Sequence, residues 1–191
     1  MRCESCRGSV RKHGTLARMW NLLSLLIAVL IGIGAAVQTS MLGSVGRLRG
    51  PSEATWLSIL ATATAVAVIL AFRGLRGESL ALPAPLDRPV IFIGAAVLAG
   101  IALFLTVRGL PPYYAITGLF GLAFIIGAAT LAPRIGVALF LSATIAGQLV
   151  GAVLMDQIGA FGNAAQPVTP LRLAGVVLLL SGVVLVRGFG R

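Results

Sequence analysis

The chain has 191 residues, of which 58% are hydrophobic and only 10% are charged, and its formal net charge is +10. A soluble globular domain has about 25% charged residues because its surface must be largely polar, so this composition excludes an ordinary water-soluble fold. The basic excess does not predict a nucleic-acid partner. The cations lie between apolar segments of helix length, as topology-setting charges of membrane proteins do.

Residues 1–19 form a short basic segment, which we interpret as a disordered cytoplasmic tail. It contains Cys3 and Cys6 as a single CxxC pair, and His13 follows seven residues later. A zinc site needs four ligands, and a redox pair needs a packed scaffold around it. A three-ligand site is conceivable, but incidental cysteines are the simpler interpretation, and we predict no metal and no cofactor.

Six apolar segments are long enough to cross a bilayer, whose hydrocarbon core of about 30 Å requires about 20 helical residues. They cover residues 20–41, 54–72, 89–107, 113–132, 135–157 and 170–186. The first exceeds the roughly 7–15 apolar residues of a signal peptide, so we interpret it as a retained helix. None of the segments alternates polar and apolar residues as barrel strands do. The prediction is an all-α integral membrane protein, a six-helix bundle forming one domain over residues 20–188, with a C-terminal tail at 189–191.

The distribution of Lys and Arg predicts the orientation of the bundle, because cytoplasmic loops carry the excess of these residues. With the N-terminus inside, eleven cations are cytoplasmic: Arg2, Arg7, Arg11, Lys12, Arg18, Arg73, Arg76, Arg88, Arg134, Arg187 and Arg191. Four are on the opposite side: Arg47, Arg49, Arg108 and Arg172. Both termini are therefore predicted to be cytoplasmic.

The segments differ in their polar content. The third has a single hydroxyl, Thr106 at its edge, which predicts a peripheral helix facing lipid. In the fifth, Thr144, Gln148 and Asp156 fall on one face of a helix because they are spaced by multiples of four residues. This arrangement is typical of a helix that lines an internal pathway.

A stripe of small residues, Ala143, Gly147 and Gly151, runs beside that polar row and predicts close packing of helix backbones. In the first segment, Gln38 is a second intramembrane amide. Gln38 and Gln148 need partners in the membrane, which are either other helices or a solute. Asp156 is either an interfacial carboxylate or a proton-sensing group at the mouth of a cavity.

An intramembrane enzyme would need a metal cluster, an acid–base pair or an activated nucleophile. No HExxH, GxSxG, paired carboxylate or histidine dyad lies within a span, so we predict no catalytic residues. A non-catalytic membrane subunit, packed against a partner complex through the same glycine stripe, is the alternative to a protein whose helices line an internal pathway.

Residues 111–186 carry a series of motifs, namely PPYYAITGLFG, LAPRIGVAL, IAGQLVGAVLMDQIGAFG and VTPLRLAGVVLLLSGVVL. In order and spacing they resemble the YdcZ-like family of the drug/metabolite transporter superfamily. The matching positions are Tyr113 and Tyr114, Pro133 to Gly136, Gly147 and Gln148, Asp156, and Pro170 to Leu173. Gln38 also fits a glutamine near the end of that family's first helix.

The resemblance implies a small inner-membrane exporter of a metabolite or drug-like solute that works as a homodimer by alternating access. In such a protein Gln38, Thr144, Gln148 and Asp156 would line the pathway. Two features depart from the family. Leu42 stands where the family usually has asparagine, and the segment 89–107 adds a sixth helix to the usual five.

Overall fold

A computed structural model describes the backbone of residues 5–78 and 81–187 and the side chains of residues 19–78 and 81–185. Over these residues the chain is all-α, with six helices and no strand, which confirms the predicted fold class. The helices are α1 (Ser5–Arg49), α2 (Pro51–Leu75), α3 (Pro89–Val107), α4 (Thr117–Ile135), α5 (Val137–Ile158) and α6 (Pro170–Arg187). Short 3-10 helices at Pro112–Ile116 and Ala160–Gly162 precede α4 and follow α5.

Five helical segments of the described chain are long and apolar enough to cross a membrane: Met19–Arg49, Pro51–Leu75, Pro89–Val107, Pro112–Ile135 and Val137–Ile158. The sixth is shorter. Its apolar part, Pro170–Leu185, rises only about 24 Å at 1.5 Å per residue. The chain is therefore a helical membrane protein with five full-length spans and one shorter apolar helix.

α1 is longer than the predicted first span at both ends. Residues 5–18, predicted as part of a disordered tail, are helical and continuous with the apolar segment. At the other end the helix passes Met41 and continues to Arg49, because no proline or strained residue interrupts it. It ends where Gly50, with φ of 103°, turns the chain into Pro51, the first residue of α2.

α1 lies at the centre of the bundle and packs against α5, α4 and α2. α3 packs on the outside of α2, and α6 on α5. Successive helices run in opposite directions, so α1, α3 and α5 finish at the end of the bundle where α2, α4 and α6 begin. We call this the Arg49 end and the opposite one the Pro89 end.

The two peripheral helices have no buried residue among those described. For α3 this agrees with the lipid-facing position predicted from its uniformly apolar sequence. Two buried clusters lie nearer the centre. One surrounds Phe140 and Ala28 toward the Pro89 end, and the other surrounds Met41, Leu57 and Tyr114 toward the Arg49 end.

Candidate functional site

The stripe of small residues on α5 packs against α1 of the same chain. A Cβ added at Gly147 would lie 2.1 Å from the Val29 carbonyl oxygen, and one added at Gly32 would lie 2.1 Å from the Thr144 carbonyl oxygen. No side chain fits in such a space, so the two backbones touch here because both helices carry glycine. Ala143 and Gly151 are buried in the same contact. The stripe is therefore occupied within one chain.

Toward the Arg49 end, a partly open cavity of about 380 Å³ lies beside the contact between α1 and α5. Its walls are small or polar: Ala35, Ala36, Thr39, Ser40, Gly43, Gln148, Ala152, Met155, Asp156 and Asn163. We call this space the α1–α5 cavity. Gln148 is half-buried, and its amide forms no hydrogen bond with the part of the chain that the structure describes. An amide without a partner in a mostly apolar bundle can bind a solute or water.

An ion pair stands at the edge of this cavity. Asp156 Oδ2 accepts a hydrogen bond from Arg172 Nη2 at the start of α6, and both side chains are 40% exposed. The same region is fastened by two further bonds, from Gln166 N to Asp156 O at 2.8 Å and from Val168 N to Gln157 Oε1 at 2.8 Å. The ion pair thus joins α5 to an α6 that has few other contacts with the bundle.

The loop after α5 folds back over the end of α1. Asn163 Nδ2 donates to Ser40 Oγ at 2.7 Å and to Ser40 O at 3.1 Å. Ser44 Oγ donates to Phe161 O at 2.7 Å and lies 2.8 Å from Tyr114 OH, a ring that is only 2% exposed. Phe161 has a φ of 58°, a left-handed conformation that is unfavourable for a non-glycine residue. These bonds hold one wall of the cavity in place.

The structure separates the residues predicted to share a pathway. Gln148 and Asp156 both line the α1–α5 cavity. Gln38 lies on a different face of α1, where its Nε2 donates to Ser58 Oγ of α2 at 3.1 Å. Thr144 is 1% exposed, and its hydroxyl donates to carbonyls of its own helix. The Gln38 amide thus forms an interhelical hydrogen bond, which was the alternative to solute binding for the two glutamines.

Four polar residues of the site were not singled out as site residues from sequence: Thr39, Ser40, Asn163 and Arg172. Ser40 and Ser44 are one turn apart, a spacing that places both on one helix face and could have marked that face as polar. Asn163 sits in a glycine-rich loop, and no periodicity in such a loop indicates where a side chain points. Cys3 and the tail at 189–191 lie outside the described residues, as do the side chains of Cys6 and His13.

An all-α bundle with five full-length apolar helices defines a polytopic helical membrane protein, and a cavity with several polar lining residues lies beside two of its helices. Residues 23–185 match the family model described as "Putative inner membrane exporter, YdcZ". The match covers most of the chain, and the chain belongs to this family of multi-pass inner-membrane proteins. The family's description is that of a transporter rather than an enzyme.

The two other comparisons gave no match. Neither the curated proteins nor the solved structures include a significant relative of this chain.

Proposed function

We propose that the chain exports a small metabolite or drug-like solute across the inner membrane and that the α1–α5 cavity holds this solute. The observation that carries the proposal is the cavity itself. It brings together the unpartnered Gln148 amide, the Asp156 carboxylate and the Ser40 hydroxyl in a bundle that exposes many large apolar side chains. A polar group inside a membrane-spanning bundle is energetically unfavourable unless it bonds to another helix or to a ligand. The Gln148 amide makes no hydrogen bond to the described residues.

The working unit in this proposal is a homodimer that operates by alternating access. Only α1, α5 and the loop after α5 line the cavity, so a second element is needed to enclose a solute. Transport sites commonly lie between two related units near the membrane midplane, and a second copy would supply the other unit. Because the glycine stripe of α5 is already filled by α1, the partner copy would use another surface.

The proposed orientation places both termini in the cytoplasm and the Arg49 end outside. The support is the excess of eleven cations over four on the predicted inner side. In this orientation the α1–α5 cavity lies toward the outer face.

Asp156 is the proposed group for coupling proton movement to transport. In this role its carboxylate would alternate between Arg172 and a proton. Asp156→Asn would then abolish pH-driven uptake into vesicles, whereas unchanged uptake would remove that role.

Export can be tested before the solute is identified. Cells that express the wild type, Gln148→Leu or Gly94→Ala are grown in defined medium, and the solutes outside the cells are profiled by mass spectrometry. Gly94 is the control because a Cβ there meets open space on the lipid-facing α3. We expect at least one solute to accumulate with the wild type and Gly94→Ala but not with Gln148→Leu. Identical profiles would favour the alternative of a non-catalytic subunit that packs against a partner complex.

A further inference from the structure

The Asp156–Arg172 ion pair gives the edge of the α1–α5 cavity one negative and one positive charge. Asp156 lines the cavity from α5, and Arg172, from the first turn of α6, contacts the Asp156 carboxylate without itself lining the cavity. Each side chain is 40% exposed, so both charges are accessible to a solute at the cavity edge. The pair itself carries no net charge, and the residues that line the cavity beside Asp156 are uncharged.

This neutral pair discriminates among solutes by their charge. A monocation that bound Asp156 would displace Arg172 and leave the guanidinium without an anion. A monoanion that bound Arg172 would leave the carboxylate without a cation. An uncompensated charge in a partly dehydrated site is unfavourable, whereas charge-assisted hydrogen bonds to both groups are strong. A solute with a cation and an anion a few ångströms apart can replace both halves of the pair together.

The rest of the cavity sets the size and polarity of such a solute. The volume of about 380 Å³ accommodates a molecule of amino-acid size rather than a large drug. Ala35, Ala36 and Ala152 offer small apolar walls, and Gln148 offers one amide on the same side. An apolar substituent against the alanines and a zwitterionic group at the ion pair would satisfy both parts of the cavity.

We infer that the α1–α5 cavity selects small zwitterions of the α-amino-acid type, with the ammonium on Asp156 and the carboxylate on Arg172. This inference rests on the proposed function, since it names the class of solute for the same site. Exchange of the internal pair for the zwitterion also removes the side-chain bond between α5 and the first turn of α6.

Four probes with the same carbon skeleton test the inference on the purified full-length protein in nanodiscs, by isothermal titration calorimetry. They are leucine (zwitterion), leucinamide (cation), 4-methylpentanoate (anion) and 4-methylpentanamide (uncharged), none of which adds carbon atoms to the leucine skeleton. We expect leucine to bind at least tenfold more tightly than each of the other three. Equal or tighter binding of any single-charge or uncharged probe, or no binding of leucine at millimolar concentration, overturns the inference.

Variants then test whether the pair itself is responsible. Asp156→Asn and Arg172→Gln are each expected to weaken leucine binding at least tenfold, and Gly94→Ala to leave it unchanged. The exchange Asp156→Arg with Arg172→Asp keeps both charges and should restore part of the affinity. This exchange variant distinguishes loss of charge from loss of fold. The unfolding temperature of each variant, measured without ligand, provides a second check that the protein is folded. Single variants that bind leucine like the wild type would overturn the inference.

The outcomes distinguish this inference from the proposed function. Export of a monovalent cation or anion in the profiling experiment would support an exporter and contradict zwitterion selection. Leucine binding without export of any solute would support the site chemistry and contradict the exporter.

Discussion

Gly147 of α5 lies against the backbone of Val29 in α1 so closely that a Cβ would be 2.1 Å from the Val29 carbonyl oxygen. Gly32 makes the reciprocal contact with the Thr144 carbonyl oxygen, so each helix contributes a glycine to the crossing. The α1–α5 cavity lies beside the same two helices, toward the Arg49 end. The same two helices, α1 and α5, therefore provide both the close backbone contact and most of the cavity wall.

We expect Gly147→Ala to destabilise the protein by about 1–3 kcal/mol, because the added methyl group forces α1 and α5 apart. Thermal unfolding of the purified variant measures the effect. The matched control is Gly94→Ala on α3, where nothing lies within 4 Å of the added atom. Equal unfolding temperatures for the two variants would contradict the close approach of α1 and α5.

A cysteine at Ala143 or Gly151 should give no cross-link between two copies of the chain, since both positions are covered by α1. The experiment uses native membranes and a background in which Cys3 and Cys6 are replaced by serine. The double variant Ser40→Cys with Asn163→Cys is the positive control, because these side chains touch within one chain. A strong intermolecular cross-link from Gly151→Cys would show that α5 pairs with another copy instead of with α1.

Loss of the Gln38 amide should lower stability, whereas loss of the Gln148 amide should not. Gln38 Nε2 donates to Ser58 Oγ, and such a bond contributes about 1 kcal/mol. A double-mutant cycle with Gln38→Ala and Ser58→Ala should give a coupling energy of that size. Additive effects of the two substitutions, within about 0.3 kcal/mol, would show that the amide and hydroxyl do not interact.

The hydroxyl pair of Ser44 and Tyr114 should hold the loop after α5 against α1. Tyr114→Phe removes one buried hydrogen bond and is expected to cost about 1 kcal/mol in thermal unfolding. It should also increase hydrogen exchange at residues 159–163, which Ser44 tethers through the Phe161 carbonyl. Ser181→Ala, at an exposed hydroxyl that bonds only the Val177 carbonyl of its own helix, is the control and should change neither quantity. Unaltered exchange in Tyr114→Phe would mean that the loop does not depend on this contact.

Arg49→Lys should loosen α3 although it keeps the positive charge. The Arg49 guanidinium donates to the carbonyl oxygens of Thr106, at 2.6 Å, and of Arg108 at the C-terminus of α3. A lysine ammonium lacks the planar fork that reaches both carbonyls at once. We expect faster hydrogen exchange in the last turn of α3 and an unchanged topology in cysteine-accessibility assays. Exchange at the wild-type rate would indicate that the carbonyl contacts add nothing to the position of α3.

The limits of prediction from sequence are visible in the two glutamines. Apolar segment lengths are sufficient to predict helices, and the peripheral position of α3 agrees with its uniformly apolar composition. Gln38 and Gln148 are both glutamines within apolar segments of the sequence. The difference between them depends on which neighbour faces each helix side, Ser58 for one and an open cavity for the other. The neighbour of each helix face is set by the tertiary structure and cannot be read from the spacing of residues within one helix.

The Asp156–Arg172 pair illustrates an intermediate case. Arg172 was predicted to lie on the non-cytoplasmic side, and a loop joins its helix to α5, which carries Asp156. Whether they touch depends on the hydrogen bonds that close the loop, such as Gln166 N to Asp156 O. The conformation of this loop depends on local backbone geometry, which the hydropathy of the sequence does not predict.

The contact between Arg49 and the end of α3 also has a consequence for the synthesis of the protein. The carbonyl group of Thr106 is made 57 residues after Arg49. At about 5–20 residues per second, translation leaves the guanidinium without this acceptor for roughly 3–11 s. During that interval water or lipid phosphate must solvate the charge in place of the carbonyl group. The α1–α2 hairpin is therefore without this contact until the end of α3 has been made.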